Sequence, residues 1–273
     1  MTKNQKLSLP KELESYREQI QNTVKPSIKI TTRKRSTTIH QSKFAGNPFL
    51  PKTVEHPKDV EGKPMKLLAQ LNFKEIPTLE HMPKEGILQF FISAEDDLMG
   101  LDFNDMTKQS NFKILYHQNI IKDESLLITD FSYMDELDTV DFPIEYELAL
   151  SFDLSSEPVS IGDFRNGELL GESVDLDQMV SREGKDDIEL WDLYNDEFLG
   201  EGHKIGGYPF FTQMDPREDD KELEEHDILL LQIDTDDDVG IMWGDAGVAN
   251  FFIRKEDLEK LDFSNVLYNW DCH

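Results

Sequence analysis

Lys204-Ile-Gly-Gly-Tyr-Pro-Phe210 repeats, with four identities in seven, a stretch 161 residues earlier, Lys43-Phe-Ala-Gly-Asn-Pro-Phe49. Three more pairs follow at nearly the same interval. Leu67-Leu-Ala-Gln-Leu-Asn72 matches Leu229-Leu-Leu-Gln-Ile-Asp234, Gly86-Ile-Leu-Gln-Phe-Phe-Ile92 matches Gly247-Val-Ala-Asn-Phe-Phe-Ile253, and Leu101-Asp-Phe103 matches Leu261-Asp-Phe263. Over these windows 14 of 23 positions are identical, and the offset stays between 160 and 162 residues. Apolar strands resemble one another by chance, so the Gly, Pro and Gln matches carry the inference. Glycine permits backbone conformations that other residues avoid. Proline marks a loop or strand edge. An amide inside an apolar run must find partners. The chain therefore reads as an internal duplication. Gln70 and Gln232 are each expected to hydrogen-bond backbone, with the nearby Gly-x-Pro-Phe loop as the nearest source.

Outward from the repeats, the patterning is mostly that of short strands. Ser27-Ile-Lys-Ile-Thr-Thr32 alternates and is β-branched, Phe112–Tyr116 is a second run, and Ile144, Tyr146, Leu148, Leu150 and Phe152 alternate, with Glu145 and Glu147 between them. Helical signals are few. Ser8 and Pro10 mark a start, with Leu13, Tyr16, Ile20 and Val24 at helical spacing. Arg254–Leu258 is a second, short one. The expected fold class is α+β, with mainly antiparallel sheets formed by the duplication, an N-terminal helix and few short helices. The expected organisation is an N-terminal helix over 1–26, a first unit over 27–110, a connecting β-rich segment over 111–203 and a second unit over 204–273. Asp215–Asp227, dense in charge, reads as an exposed loop or linker.

The 273 residues carry 56 acids against 28 bases, a formal charge of -28, and 17 Phe supply material for a core. Such a charge repels phosphate backbones and attracts cations or basic proteins, so nucleic acid is not an expected partner. The single cysteine, Cys272, excludes an internal disulfide. With no apolar leader behind Met1 and no apolar run near the ~20 residues that cross a bilayer, the expected location is cytoplasmic, away from membranes. Between Lys25 and Lys52 the balance reverses, with seven bases and no acid. This strip either neutralises an acidic neighbour within the fold or forms an anion or partner site.

No catalytic constellation is recognisable. There is no H-E-x-x-H, no phosphate-binding glycine loop and no possible C-x-x-C, and none of the seven histidines pairs with another at ligand spacing. Asp234, Asp236, Asp238 and Asp245 fall on positions 1, 3, 5 and 12 of a calcium loop, but Val239 stands where that loop needs glycine. The run reads as a solvated hairpin turn or a weak calcium site. Trp243-Gly-Asp-Ala-Gly247 is a tight turn carrying an aromatic and a carboxylate. Gln70, Arg217, Gln232, Trp243 and Asp245 are the candidate ligand-binding residues for a groove between the copies.

Lys204–Gln213 with Asp215-Pro-Arg217, Leu229–Asp234, Ile241–Ile253 and Tyr268–Cys272 resemble the YwqG family of bacterial proteins, as do Leu67–Phe73 and Gly86–Ser93. That resemblance implies a cytosolic α+β protein of unknown function, with no catalytic residues to carry over. The proximity of some family genes to polymorphic-toxin systems implies an immunity or interaction role. The expected function is non-enzymatic binding of a basic protein, such as a toxin, by an acidic surface. The alternatives are an enzyme or small-ligand binder using the inter-repeat groove, and weak divalent-cation binding at Asp234–Asp245.

Overall fold

A computed structural model of the chain describes residues 7–182, 184, 186–218 and 220–273. Ten strands form one antiparallel sheet, and a separate pair, β7 (Met179–Val180) with β8 (Ile188–Glu189), stands apart from it. At its centre β1 (Lys25–Lys34) pairs along its whole length with β6 (Leu148–Glu157). On the β6 side lie β2 (Lys43–Phe44), β3 (Lys66–Asn72), β4 (Ile87–Ile92) and β5 (Phe112–His117). On the β1 side lie β9 (Lys204–Gly206), β10 (Ile228–Asp234), β11 (Val248–Ile253) and β12 (Val266–Asp271). The duplication is thus a pseudo-two-fold about the β1–β6 ladder, and each copy borrows its inner strand from outside its own repeat. β5 stands beside β4 as β12 stands beside β11, so the first copy reaches His117. Both copies carry the same register break, between Leu67 and Ala69 and between Leu229 and Leu231.

The expected glutamine bonds are present in both copies. The Gln70 side-chain oxygen accepts from the Phe49 N–H at 2.7 Å, and its amide nitrogen donates to the Ile39 and Gln41 carbonyls. Gln232 accepts from the Phe210 N–H at 2.8 Å and donates to the Gly200 and Gly202 carbonyls. Each amide therefore ties a strand to the loop that closes over it, which explains a polar side chain in an apolar run. Lys43 and Lys204, both buried, reach Glu147 at 3.6 Å and Glu157 at 2.8 Å. Burial lowers the pKa of each lysine, and its glutamate partly restores it. At Gly46 and Gly207, both at positive φ, a Cβ would strike those same glutamates, so glycine is required for the lysine loop to close.

The sheet coils until its two ends meet. Tyr268 of β12 stacks on Phe251 at 4.5 Å and lies 5.2 Å from Phe112 of β5, and Phe90 meets its repeat mate Phe251 at 4.8 Å. The tyrosine hydroxyl donates to the Met99 carbonyl, and its N–H to Met106. Most of β3, β4, β10 and β11 is buried on both faces, so these strands read as continuous rather than alternating apolar runs. A satellite core joins Leu13, Ile20, Val159, Leu170, Leu190, Tyr194 and Tyr208. It packs the N-terminal helical segment against α2 (Asn166–Leu170) and α3 (Leu190–Phe198).

Three local expectations are corrected, and one helix, α3, is added to those expected. Of the helix expected over 1–26, residues 1–6 lie outside the described residues, and the rest is a 3₁₀ segment, Lys11–Tyr16, running into α1 (Arg17–Asn22), with Pro10 rather than Ser8 as its N-cap. α3 carries no capping bond and had no start signal to announce it. The alternating run from Ile144 is a strand only from Leu148, because Pro143–Glu145 pairs instead with Gly240–Met242 of the second copy. Asp215–Asp227 is no simple exposed loop: Asp215, Arg217 and His226 are buried in it. The expected Arg254–Leu258 helix is α4 (Lys255–Glu259), with Arg254 as its N-cap.

Candidate functional site: the groove between the copies

The pairing that cuts β6 short also builds a groove. Glu145 donates its N–H to the Gly240 carbonyl at 2.9 Å, Met242 donates to Pro143 at 2.8 Å, and Ile144 faces Ile241 in a bridge. The groove encloses about 730 Å³. Lys66 and Met99 of the first copy, residues 139–145 of the connector and the 237–244 turn of the second copy line it. Phe142, Ile144, Ile241 and Met99 are buried and form an apolar floor. Val140 and Met242 are exposed apolar side chains on the rim. Asp141, Glu145 and Asp237 are exposed carboxylates beside them. Lys66, the one ammonium among the described residues that line the groove, lies 4.1 Å over the Phe142 ring, and burial lowers its pKa. Three carboxylates against one partly desolvated ammonium leave the groove attractive to cations.

Gln70, Arg217, Gln232, Trp243 and Asp245 are not among the residues that line this groove. Gln70 accepts from Phe49 and Gln89 and donates to two carbonyls, and with Gln232 it spends its bonds on the scaffold. Arg217 is wholly buried. It grips Asp215 through two nitrogens at 2.8 and 2.6 Å, reaches Asp163 at 3.5 Å, and lies between the Phe164 and Phe252 rings. Burial opposes the charge of Asp163, but Arg165 and Arg217 outweigh it and hold its pKa below the usual range. Trp243 is in the core, tilted on Trp270 at 6.2 Å. Its neighbours in the Trp-Gly-Asp-Ala-Gly turn serve geometry: the Gly247 N–H returns to the Trp243 carbonyl, and a Cβ on Gly247 would collide with the Asp271 carbonyl. Asp245 is exposed, and its carbonyl accepts from the His273 N–H.

The aspartate run forms a turn, with Asp236 and Ile241 exchanging both backbone bonds. Asp234 accepts from the Gly202 and Thr235 N–H groups, and burial raises its pKa. Asp236 approaches His203 at 3.8 Å. Among the described residues no three His, Cys, Asp or Glu side chains are grouped to hold a metal ion.

Sequence reasoning passed over Lys66, Asp141, Glu145 and Met242. The available signal was the acidic stretch before Phe142, which mixes exposed Val140 with carboxylates in a connector otherwise read only as strand. The basic strip divides in two. Lys43 is buried on Glu147, and Lys25 lies over Tyr208 at 4.4 Å. Lys29, Arg33, Lys34 and Arg35 are exposed on or just beyond β1, and among the described residues none of these four has an ion pair.

No helix of the described residues is long and apolar enough to cross a membrane. No curated protein matches the chain. The sequence pattern of one protein family matches residues 42–272, from the residue before β2 through the end of β12, and so takes in both copies of the fold and the groove between them. On that match the chain belongs to the DUF1963 family, a domain of unknown function.

Proposed function

We propose that this chain is a non-enzymatic binding protein whose inter-copy groove takes a cationic, partly apolar segment of a protein partner. One observation carries the reading. Asp141, Glu145 and Asp237 ring an apolar floor next to exposed Val140 and Met242, with Lys66 the single opposing charge among the described residues of the lining. A lysine or arginine side chain suits the rim, and a neighbouring apolar residue suits the floor. The overall charge of -28 favours encounter with such a partner at low salt. A basic toxin, the partner implied by the likeness to the YwqG family, has this chemistry.

Fluorescence anisotropy with a labelled peptide of alternating Arg and Leu tests the reading. Raising the salt from about 20 to about 200 mM weakens binding about tenfold or more if the contacts are ionic. Reversing Glu145 and Asp237 together to Lys abolishes binding, whereas reversing Glu12 and Glu18 on the N-terminal segment, the same change in net charge, leaves it nearly intact. Equal losses in the two double variants would reduce the effect to net charge and overturn the assignment to the groove.

A further inference from the structure

The duplication places two equivalent cavities outside the sheet, and only one is satisfied by its own residues. The first, about 240 Å³, is lined in part by Asp59, Glu61, Ser93 and Asn111. The second, about 510 Å³, is lined in part by Asp220, Glu222, Arg254 and Asn265. Asp59 and Asp220, Glu61 and Glu222, and Ser93 and Arg254 are each 161 residues apart, and Asn111 and Asn265 immediately precede β5 and β12. In the first cavity the polar groups bond one another. Ser93 donates to Asp59 at 3.1 Å, the Val60 N–H donates to Asn111 at 3.3 Å, and Lys63 pairs with Glu95.

The second cavity is different. His226 lines it at 1% exposure, and neither ring nitrogen has a hydrogen-bond partner. Asn265 and the Leu223 backbone lie close enough to favour its charged form slightly, but neither makes a bond of ordinary geometry. The Nε of Arg254 is likewise buried and unbonded, although the rest of that guanidinium reaches Glu225 and the Glu222 carbonyl. The His226 carbonyl takes the place that the Met65 carbonyl holds in the first copy. His56 bonds the Met65 carbonyl and packs on Phe91, as Arg217 bonds the His226 carbonyl and packs on Phe252. Met65 is buried in an apolar cluster with Leu67 and Phe91. The second copy therefore has an imidazole where the first has a thioether, beside a cavity twice as large.

Buried polar groups are normally paired, and an unpaired one calls for an explanation such as a bound molecule. Burial and the Arg254 charge lower the His226 pKa, so at neutral pH the ring has one donor and one acceptor nitrogen. The Arg254 Nε–H needs an acceptor, and a carboxylate provides one. The rim, with Asp105, Asp220 and Glu222, would repel a simple anion but suits an ammonium group. Met106 and Leu223 supply apolar wall.

We propose that this cavity binds a small zwitterion, an α-amino acid with an apolar side chain. Arg254 and His226 receive the carboxylate, Asp105, Asp220 and Glu222 face the ammonium, and Met106 and Leu223 take the side chain. Imidazole ¹⁵N NMR of the full chain, with L-leucine, acetate and methylamine as probes, tests this. Leucine should move the His226 ring resonances at a concentration about tenfold below that needed by either half-molecule. His226→Met, which installs the first copy's residue and keeps the fold, and Arg254→Gln should each weaken leucine binding about tenfold or more by saturation-transfer NMR. An unmoved ring at about 10 mM leucine, acetate acting as well as leucine, or full binding by His226→Met would each overturn the proposal.

Discussion

In the first copy His56 packs on Phe91, bonds the Met65 carbonyl and shares a hydrogen bond with Tyr133. In the second, Arg217 occupies that place against Phe252 with Asp215 and Asp163 around it. Inside the sheet the copies barely differ. The loop bonds of Gln70 and Gln232, the buried lysine–glutamate pairs and the register breaks recur, and the one added bond is that Gln70 also accepts from Gln89, where Asn250 donates only to the Phe210 carbonyl. The loop-closing device depends on a few polar contacts of exact length, so a change in one partner leaves another buried and unpaired. Outside the sheet a residue needs only to fill space and satisfy its neighbours. There the copies have diverged from a neutral ring to a guanidinium, and from methionine to histidine.

Substitutions at matched positions can break or sharpen this comparison. The largest effect is expected at the turn glycines. Gly247→Ala drives a methyl into the Asp271 carbonyl, backbone that cannot yield without moving β12. Gly86→Ala, at positive φ, meets the His117 carbonyl at 2.9 Å and the ring and hydroxyl of Tyr116. Urea unfolding should show a loss of more than about 4 kcal/mol for Gly247→Ala and a smaller one for Gly86→Ala. Equal losses would mean that the two β-edges are held alike.

Next comes the Arg217–His56 pair. Arg217→Met strands Asp215 in the interior and leaves Asp163 to Arg165 alone, and should cost about 3 kcal/mol or more in chemical denaturation. His56→Met leaves only a carbonyl and a tyrosine hydroxyl to rebond, and should cost about 1 kcal/mol. The reverse order would show that the charge cluster is not what holds the second copy's outer layer.

A third contrast is acid sensitivity. His203 accepts the Asp234 N–H through Nδ1, where the first copy uses the Ser42 hydroxyl to accept from Asn72. Burial pushes the His203 pKa down to about 4, against a partial pull upward from Asp236. Below pH 6.5 the unfolded chain therefore takes up a proton that the folded chain refuses until about pH 4, and stability falls through that window. His117, also lowered to about 4 by burial, adds to the fall. His203→Ser should reduce the loss between pH 7 and pH 4 by about 2 kcal/mol in unfolding curves at the two pH values. An unchanged pH slope would remove His203 from the account. The smallest effect is expected on the outer face of β1, where Arg33→Gln should shift stability by less than about 0.5 kcal/mol. A loss comparable to that of Lys204→Met would reveal an internal partner for the strip.

Much of the scaffold is legible in the amino-acid sequence. The glutamine role, the strand windows and the antiparallel α+β class follow from local pattern and from polar groups that cannot go unpaired. The candidate site was far less legible. Arg217 sits in a stretch of charge that reads as solvated, and only the Phe164 and Phe252 rings on either side of it turn that stretch inward. The Trp-Gly-Asp-Ala-Gly segment has the look of a functional signature, yet its glycines answer to the closeness of Asp271 and Cys272. The groove depends on Pro143–Glu145 leaving the β6 ladder to pair with a turn about 100 residues away, which no periodicity announces.

By itself the amino-acid sequence determined that this protein is built twice from one unit and that Gln70 and Gln232 hold equivalent loops, because repetition and buried amides are local, one-dimensional constraints. Tertiary structure alone decided that β1 and β6 are shared across the pseudo-two-fold. It also decided that three carboxylates converge over an apolar floor and that His226 meets a cavity where Met65 meets its own apolar cluster. These follow from how the sheet coils and which elements cover it, and that is settled by non-local packing rather than by any single stretch of chain.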